Sequence, residues 1–430
     1  MTTEQIEAAP APQKTGLAFA YVTTLFFAWG FVTSLIGPLI AALRKVFDLS
    51  YTEATLTTFA WFIAYGVVSL PAAAILARLG YSRSIIFALA TMVLGCLIVP
   101  VATLADWYPG VLIALFVIAS GVTILQVAAN PLVAALGTPK GSHFRLNLSQ
   151  AFNSLGTVLG PWLGSHLLLT GGIFAAGAVV TVATRGQSLR SIDLAFLGVG
   201  AFFAVLAAFI FTARKRINTA AAAGAGESVS PLRALASPWA VFGAVAIFFY
   251  VGSEVAIGDL MTNFLHSENI LNIPLDRAGA MVSYYWGAAM IGRFIGAALL
   301  TRVRAGLLLG VCTVIAAGLC AVVTQTGGTT AAWSAIAVGL FNSIMFPTIF
   351  TLTLERSSAP PSATSGLLVF GIIGGAILPV LAGRIADASA VLNPVFYVPL
   401  AGYTLLTIFA IATALTQARS DTIASAPAGH

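Results

Sequence analysis

Twelve apolar runs, each near the length of a bilayer-spanning helix, occupy most of this chain. They fall at about 17–40, 54–77, 84–104, 110–136, 148–172, 192–213, 239–264, 278–303, 306–324, 329–352, 363–386 and 393–416. A helix needs roughly 20 mostly apolar residues to cross the hydrocarbon core. Only 8% of the 430 residues are charged and 59% are hydrophobic, against roughly 25% charged in an ordinary soluble domain. So few charges cannot coat a soluble fold of this size. The predicted fold class is therefore all-α integral membrane, with twelve transmembrane helices in two pseudo-symmetric six-helix bundles. The period-two alternation of an outer-membrane barrel is absent.

The longest polar interruption runs from Arg214-Lys215-Arg216 through an Ala/Gly stretch to Pro238. It predicts a linker at 214–238 between bundles at 17–213 and 239–416, with tails at 1–16 and 417–430. The halves echo each other. Ala77-Arg78-Leu79-Gly80-Tyr81-Ser82-Arg83 and Thr301-Arg302-Val303-Arg304-Ala305-Gly306 are short basic turns at matching places. A parallel six-plus-six repeat is an arrangement of secondary transporters. Residues 1–15 lack the charged-then-apolar pattern of a cleaved leader, so the first apolar run is expected to remain a membrane helix.

Basic residues set the orientation. With the amino terminus inside, the inner segments hold thirteen: Lys14, Arg78, Arg83, Lys140, Arg145, Arg214, Lys215, Arg216, Arg233, Arg302, Arg304, Arg356 and Arg419. The outer loops hold five: Arg44, Lys45, Arg185, Arg190 and Arg277. Both termini are thus expected in the cytoplasm. The net charge of +6 is scattered through these loops and is no nucleic-acid signal. Cys96, Cys312 and Cys320 lie in apolar runs and read as small core residues, not disulfides or metal ligands.

Polar residues inside the apolar runs are the functional candidates, because a buried amide without a partner is expensive in lipid. The fourth run places Ser120, Thr123, Gln126 and Asn130 on one helical face. The fifth places Gln150, Asn153, Ser154, Thr157 and Ser165 similarly, and between the two lies a short basic loop with Lys140, His143 and Arg145. Two such stripes can line one cavity, or they can bond helix to helix. Amides and hydroxyls suit a neutral polyhydroxylated ligand, since each can pair with sugar hydroxyls. Trp29, Phe62, Tyr65, Trp286, Phe346 and Phe370 lie well inside their runs. They offer rings for sugar C–H faces, or plain packing. Trp107 and Trp333 lie near helix ends as interface anchors.

Two acids, Glu254 and Asp259, lie inside the seventh run. An intramembrane carboxyl is a functional hypothesis by default. Glu254 falls near mid-membrane, where it is a candidate to bind and release a proton. Asp259 lies on another face and nearer the outer end, where water can reach it. Arg293 is the basic residue deep in the eighth run. It is expected to snorkel or to bond carbonyls at a helix junction, with a Glu254 pair as the alternative. His166 is read as packing or a hydrogen bond. There is no phosphate loop, nucleophile elbow or His/Cys metal spacing. No enzymatic activity, metal or cofactor is expected beyond a coupling proton or sodium ion.

The matching stretches Phe26-Phe27-Ala28-Trp29-Gly30-Phe31, Leu125-Gln126-Val127-Ala128-Ala129-Asn130-Pro131, Phe144-Arg145-Leu146-Asn147-Leu148-Ser149-Gln150-Ala151-Phe152-Asn153-Ser154, Tyr250-Val251-Gly252-Ser253-Glu254-Val255-Ala256-Ile257-Gly258, Ile291-Gly292-Arg293-Phe294-Ile295-Gly296 and Phe346-Pro347-Thr348-Ile349-Phe350 span both halves. In them the chain resembles the fucose/glucose–galactose/N-acetylglucosamine group of sugar:cation symporters in the major facilitator superfamily. Gln126 and Glu254 look like its glucose/galactose branch; the fucose branch carries Glu and Gln there. The resemblance implies a two-domain carrier that alternates access to a hexose bound between the halves, with Gln150 at a sugar-binding position. The family usually carries an Asn-Asp pair after a Leu in its first helix, and links that Asp to proton coupling. Here Leu35 is followed by Ile36-Gly37-Pro38.

The expected function is import of a hexose or related sugar across the bacterial inner membrane by a monomer, coupled to protons through Glu254 with Asp259 as a second candidate. Gln126, Asn130, Gln150, Asn153, Trp29, Tyr65, Trp286 and Phe346 are the candidate sugar contacts, and Arg293 is a structural or pairing residue. The missing first-helix acid keeps open an uncoupled or sodium-coupled carrier. A membrane sugar sensor and a drug or organic-anion carrier are the remaining alternatives.

Overall fold

The computed structural model describes residues 12–35, 39, 42–43, 46–49, 51–138, 141–168, 172–174, 179, 181–221 and 230–418, and among them there is no strand. The first half contains α1 (Pro12–Ser34), α2 (51–79), α3 (81–104), α4 (Tyr108–Ala135), α5 (Ser142–Leu168) and α6 (Val182–Ala221). The second contains α7 (Pro238–His266), α8 (Leu275–Leu299), α9 (Ala305–Gln325), α10 (Gly328–Asn342), α11 (Met345–Arg356), α12 (Pro361–Phe370), α13 (Gly374–Asp387) and α14 (Tyr397–Leu415). Ile36, Gly37, Pro38, Arg44, Lys45, Lys140, Arg419 and the His166 side chain lie outside the described residues.

Local chemistry explains the breaks. α2 and α3 run on with only Gly80 between them, at φ +72, a left-handed value that glycine adopts at no steric cost. Pro347 has no N–H and its ring crowds the carbonyl four residues back. That residue is Ser343, and the helix stops at Asn342 and restarts at Met345. α12 and α13 are joined by the single turn Gly371–Ile373. A Cβ at Gly371 would lie 2.5 Å from the Ala244 carbonyl, and one at Gly374 would collide with the Phe248 carbonyl. These glycines let the bent span close onto α7, as small residues do between membrane helices.

Nine helical stretches among the described residues are long and apolar enough to cross a membrane. One of them, Phe59–Leu104, has 46 residues, enough for two crossings. Adding the more polar α5 and α8 gives twelve. Helix ends overrun the apolar runs: α5 starts at Ser142 rather than about 148, and α6 spans 182–221 rather than 192–213. Hydropathy marks the part that lies in lipid, whereas intrahelical hydrogen bonds form in water as well. The start of the expected 214–238 linker is therefore helical to Ala221, where Ala-rich sequence favours helix. A short turn, Pro231–Ala236, precedes α7.

α1 packs on α5, and α3 on α4 and α6, while α14 packs on α7 and α9, and α10 on α8 and α9. The halves meet where α12 lies on α2 and α4, and where α5 lies on α8 and α11. The two helices too polar to register as crossings thus face each other across the seam. Away from the seam, Arg185 donates to Val46 O at 2.7 Å and to both Asp106 carboxylate oxygens at 3.0 and 2.5 Å. Those hydrogen bonds hold the Asp106 carboxyl below its usual value. With the Asp106 side chain 55% exposed, the pair contributes little to stability.

Candidate functional site

Glu254 lies on α7 and is nearly buried. The Tyr250 hydroxyl, one turn earlier, donates to its Oε1 at 2.8 Å. Arg293 Nη2 of α8 lies 3.7 Å from the same oxygen. Arg293 then reaches two further groups. Its Nε donates to Ser343 O at 3.1 Å, the carbonyl that Pro347 cannot satisfy. Its Nη1 donates to Ser154 Oγ of α5, in the other half. The expected carbonyl at a helix junction and the alternative Glu254 pair are therefore both present. One planar guanidinium with five donors in a fixed fork can serve all three at once.

Behind Glu254 stands a tyrosine network. Tyr285 hydroxyl donates to Glu254 O at 3.4 Å, and Asn342 Nδ2 donates to Tyr285 at 2.7 Å and Tyr403 at 3.4 Å. Tyr250, Ser343 and these partners escaped sequence reasoning. Tyr250 carried one usable signal, its spacing of four from Glu254. Asp259, on the same helix, is exposed and joins none of this.

The other half places its polar residues in several ways. Gln126 Nε2 donates to the Tyr65 hydroxyl at 3.0 Å, so these two candidates from α4 and α2 meet. Gln150 is buried, 6% exposed, on the same α5 as Ser154. Asn130 is fully buried, and among the described residues neither of its side-chain polar atoms has a hydrogen-bond partner. Asn153 Nδ2 donates to Phe26 O of α1 at 2.9 Å. A Cβ at Gly30 would run into the Asn153 carbonyl, so this stretch of α5 binds helix to helix. Ser120 and Thr123 donate to Phe116 O and Ala119 O on their own helix, at 2.7 and 2.8 Å, as membrane hydroxyls commonly do.

Of the aromatic candidates, Trp29 is buried against Phe26, with ring centroids 4.1 Å apart. Phe346 packs 6.5 Å from Tyr250, beside the Glu254 network. Trp286 stays 36% exposed, edge-on to Tyr285 at 5.0 Å. A cavity of about 450 Å³ lies elsewhere, among Phe31, Leu35, Leu39, Trp61, Phe196 and Phe202. Its apolar wall includes none of the candidate residues and suits hydrocarbon better than a sugar.

The seam closes at the end that carries the α4–α5 turn. Among the described residues, hydrogen bonds join the halves there from Ser142, His143 and Asn147, and deeper in the bundle from Val127 and Ser154.

Residues 22–379 match the family model described as Major Facilitator Superfamily. The chain belongs to the major facilitator superfamily. It is 40% identical over 397 residues to a glucose/galactose transporter of Brucella abortus (strain 9-941), covering 92% of this chain and 94% of that one. It is 30% identical over 413 residues to the L-fucose-proton symporter of Escherichia coli (strain K12), covering 92% of each. Among solved structures, the superfamily transporter FucP in its outward conformation superposes with a TM-score of 0.82 at 26% identity, over 94% of this chain and 100% of that one. The resemblance read from the motifs is borne out, as is the all-α membrane fold. This superfamily member is related to transporters, not to enzymes.

Proposed function

We propose that the chain imports a hexose or a related sugar by alternating access, coupled to protons through Glu254. The observation that carries this reading is the nearly buried Glu254 carboxylate paired with Arg293, which itself reaches Ser154 in the opposite half. A proton on Glu254 removes the charge that holds Arg293. It therefore alters a contact between the halves, and that is the physical requirement for coupling. The relatives named glucose/galactose transporter and L-fucose-proton symporter support the substrate class. Gln126 with Tyr65, and Gln150, are the proposed sugar partners on one side. Trp286 and Phe346 supply rings on the other. Asn130, Trp29 and Asn153, whose amide also ties α5 to α1, are further candidates, and Asp259 is a secondary proton site.

In this reading the protein is a monomer in the bacterial inner membrane with both termini cytoplasmic. The end sealed by the α4–α5 turn then faces the cytoplasm, so the structure is outward-facing, in keeping with its likeness to FucP in that conformation. Sugar and proton enter from outside, the halves rock about the midplane, and both leave inside. No cofactor takes part apart from the coupling ion.

Proteoliposomes containing this chain alone test the reading. Uphill uptake of glucose or galactose is expected with an inward proton gradient and without sodium. Gradient-independent uptake would make the protein an uncoupled carrier, and binding without flux would make it a sensor.

A further inference from the structure

The turn that seals the seam contains a histidine held on both sides across the two halves. His143 stands in the first turn of α5. Its Nδ1 lies 2.5 Å from Thr351 Oγ1 of α11, and its Nε2 lies 3.2 Å from Glu355 Oε1 of the same helix. Thr351 has one hydroxyl hydrogen, and two carbonyls of its own helix compete for it, Pro347 O at 2.9 Å and Thr348 O at 3.2 Å. A hydroxyl bonded back to its helix can only accept from Nδ1. Ser142 Oγ donates to Glu355 Oε1 at 2.9 Å, which marks that oxygen as an acceptor. Both ring nitrogens therefore face acceptors, an arrangement that only the doubly protonated ring satisfies. A neutral ring with its proton on Nε2 would require Thr351 to leave its carbonyl. A neutral ring with its proton on Nδ1 would require the extra proton to sit on Glu355, so the pair would hold it just the same.

The other charges at this point agree. Arg356 Nη1 lies 3.6 Å from Glu355 Oε2, on the side away from the ring, and bonds Leu352 O and Thr413 O. Arg145, on His143's own helix, is turned onto the carbonyls of Val133, Ala134 and Thr138 at the end of α4. Glu355 is thus the anion facing the ring, and it sits at the amino-terminal end of α5, where a helix favours negative charge. When the halves part at this end, His143 and Glu355 separate into water.

We propose that closing this end of the carrier binds one proton at the His143–Glu355 pair, a second proton site distinct from Glu254 that senses the pH of the compartment this end faces. The proton comes from that compartment and returns to it when the halves part. Because the closed state holds the extra proton, acid favours closure and base favours opening. With this end cytoplasmic, an acidified cytoplasm holds the carrier outward and slows further import of protons with sugar. The inference rests on the halves parting at this end, not on which sugar is carried.

The test reads conformation without sugar. Spin labels at the exposed Ala135 and Ser358, with the native cysteines replaced, report the separation of the halves in full-length protein in nanodiscs. From about pH 6 to about pH 8.5 the closed-to-open ratio is expected to fall with rising pH, by up to about tenfold per unit for one linked proton. His143→Gln keeps hydrogen bonding without titration and is expected to flatten the slope. Glu355→Gln, which removes the anion, is expected to do the same and serves where the histidine variant is not monodisperse. A flat wild-type profile overturns the proposal whatever the variants do, as does an unchanged slope in either folded variant.

Discussion

Arg293 on α8 donates to Ser154 on α5, across the seam between the two halves. The same guanidinium lies 3.7 Å from Glu254 and bonds the Ser343 carbonyl that Pro347 leaves free. A carboxylate, a helix break and an inter-half contact thus share one cation. Such a side chain can transmit a change of protonation into a change of domain contact, because the group that loses its counter-charge when Glu254 takes a proton is the one that bonds the other half.

Glu254→Gln keeps the size of the side chain and an acceptor for Tyr250 but cannot exchange a proton. Uphill sugar accumulation is expected to disappear, while exchange of labelled for unlabelled sugar across the vesicle membrane persists. Accumulation equal to wild type would remove Glu254 from coupling.

Removing one partner of a buried pair costs more than removing both, because it strands a charge. Arg293→Met should therefore lower stability by about 3 kcal/mol, with a large part regained in Arg293→Met/Glu254→Gln. Thermal midpoints in detergent measure this cycle. With Glu254→Gln as the other single variant, a double-variant loss equal to the sum of the two single losses would mean that the two residues are not energetically coupled.

Pro347→Ala restores an N–H and lifts the crowding at the Ser343 carbonyl. The break between α10 and α11 should close, and the carbonyl should turn from Arg293 into the helix. Transport is expected to fall by about tenfold or more with little loss of thermal stability, since a net hydrogen bond is regained as another is lost. Wild-type transport in this variant would make the break incidental.

Gln150→Ala and Gln126→Ala should each weaken apparent sugar affinity by about tenfold, the worth of a hydrogen bond of roughly 1 kcal/mol or slightly more. Protein in the membrane should be unchanged for Gln150→Ala, because the Ser154 hydroxyl bonds the Gln150 backbone carbonyl, at 3.1 Å, which the substitution keeps. Normal affinity in both variants would place the sugar elsewhere.

The crossings were legible because a bilayer leaves a chain few choices: each backbone polar group must be satisfied within the segment, so apolar length reports helix. Helix ends were not legible, since α6 continues to Ala221 and α5 begins at Ser142, where lipid no longer constrains composition. Gln126 and Tyr65, both singled out as candidates, do meet. Asn153 sat in the same polar stripe as Gln150, yet its amide ties α5 to α1. A stripe shows which face is polar but not what stands opposite.

The amino-acid sequence by itself determined the solvent, the helices, the two halves and the isolated acid and base inside them, because burying a charge or an amide in lipid is costly enough to make each one conspicuous. Only the tertiary structure decided that Arg293 serves Glu254, Ser343 and Ser154 together, and that His143 stands between Thr351 and Glu355. These partners lie 39 to 212 residues apart, and helix periodicity carries no information about what faces a side chain from another helix.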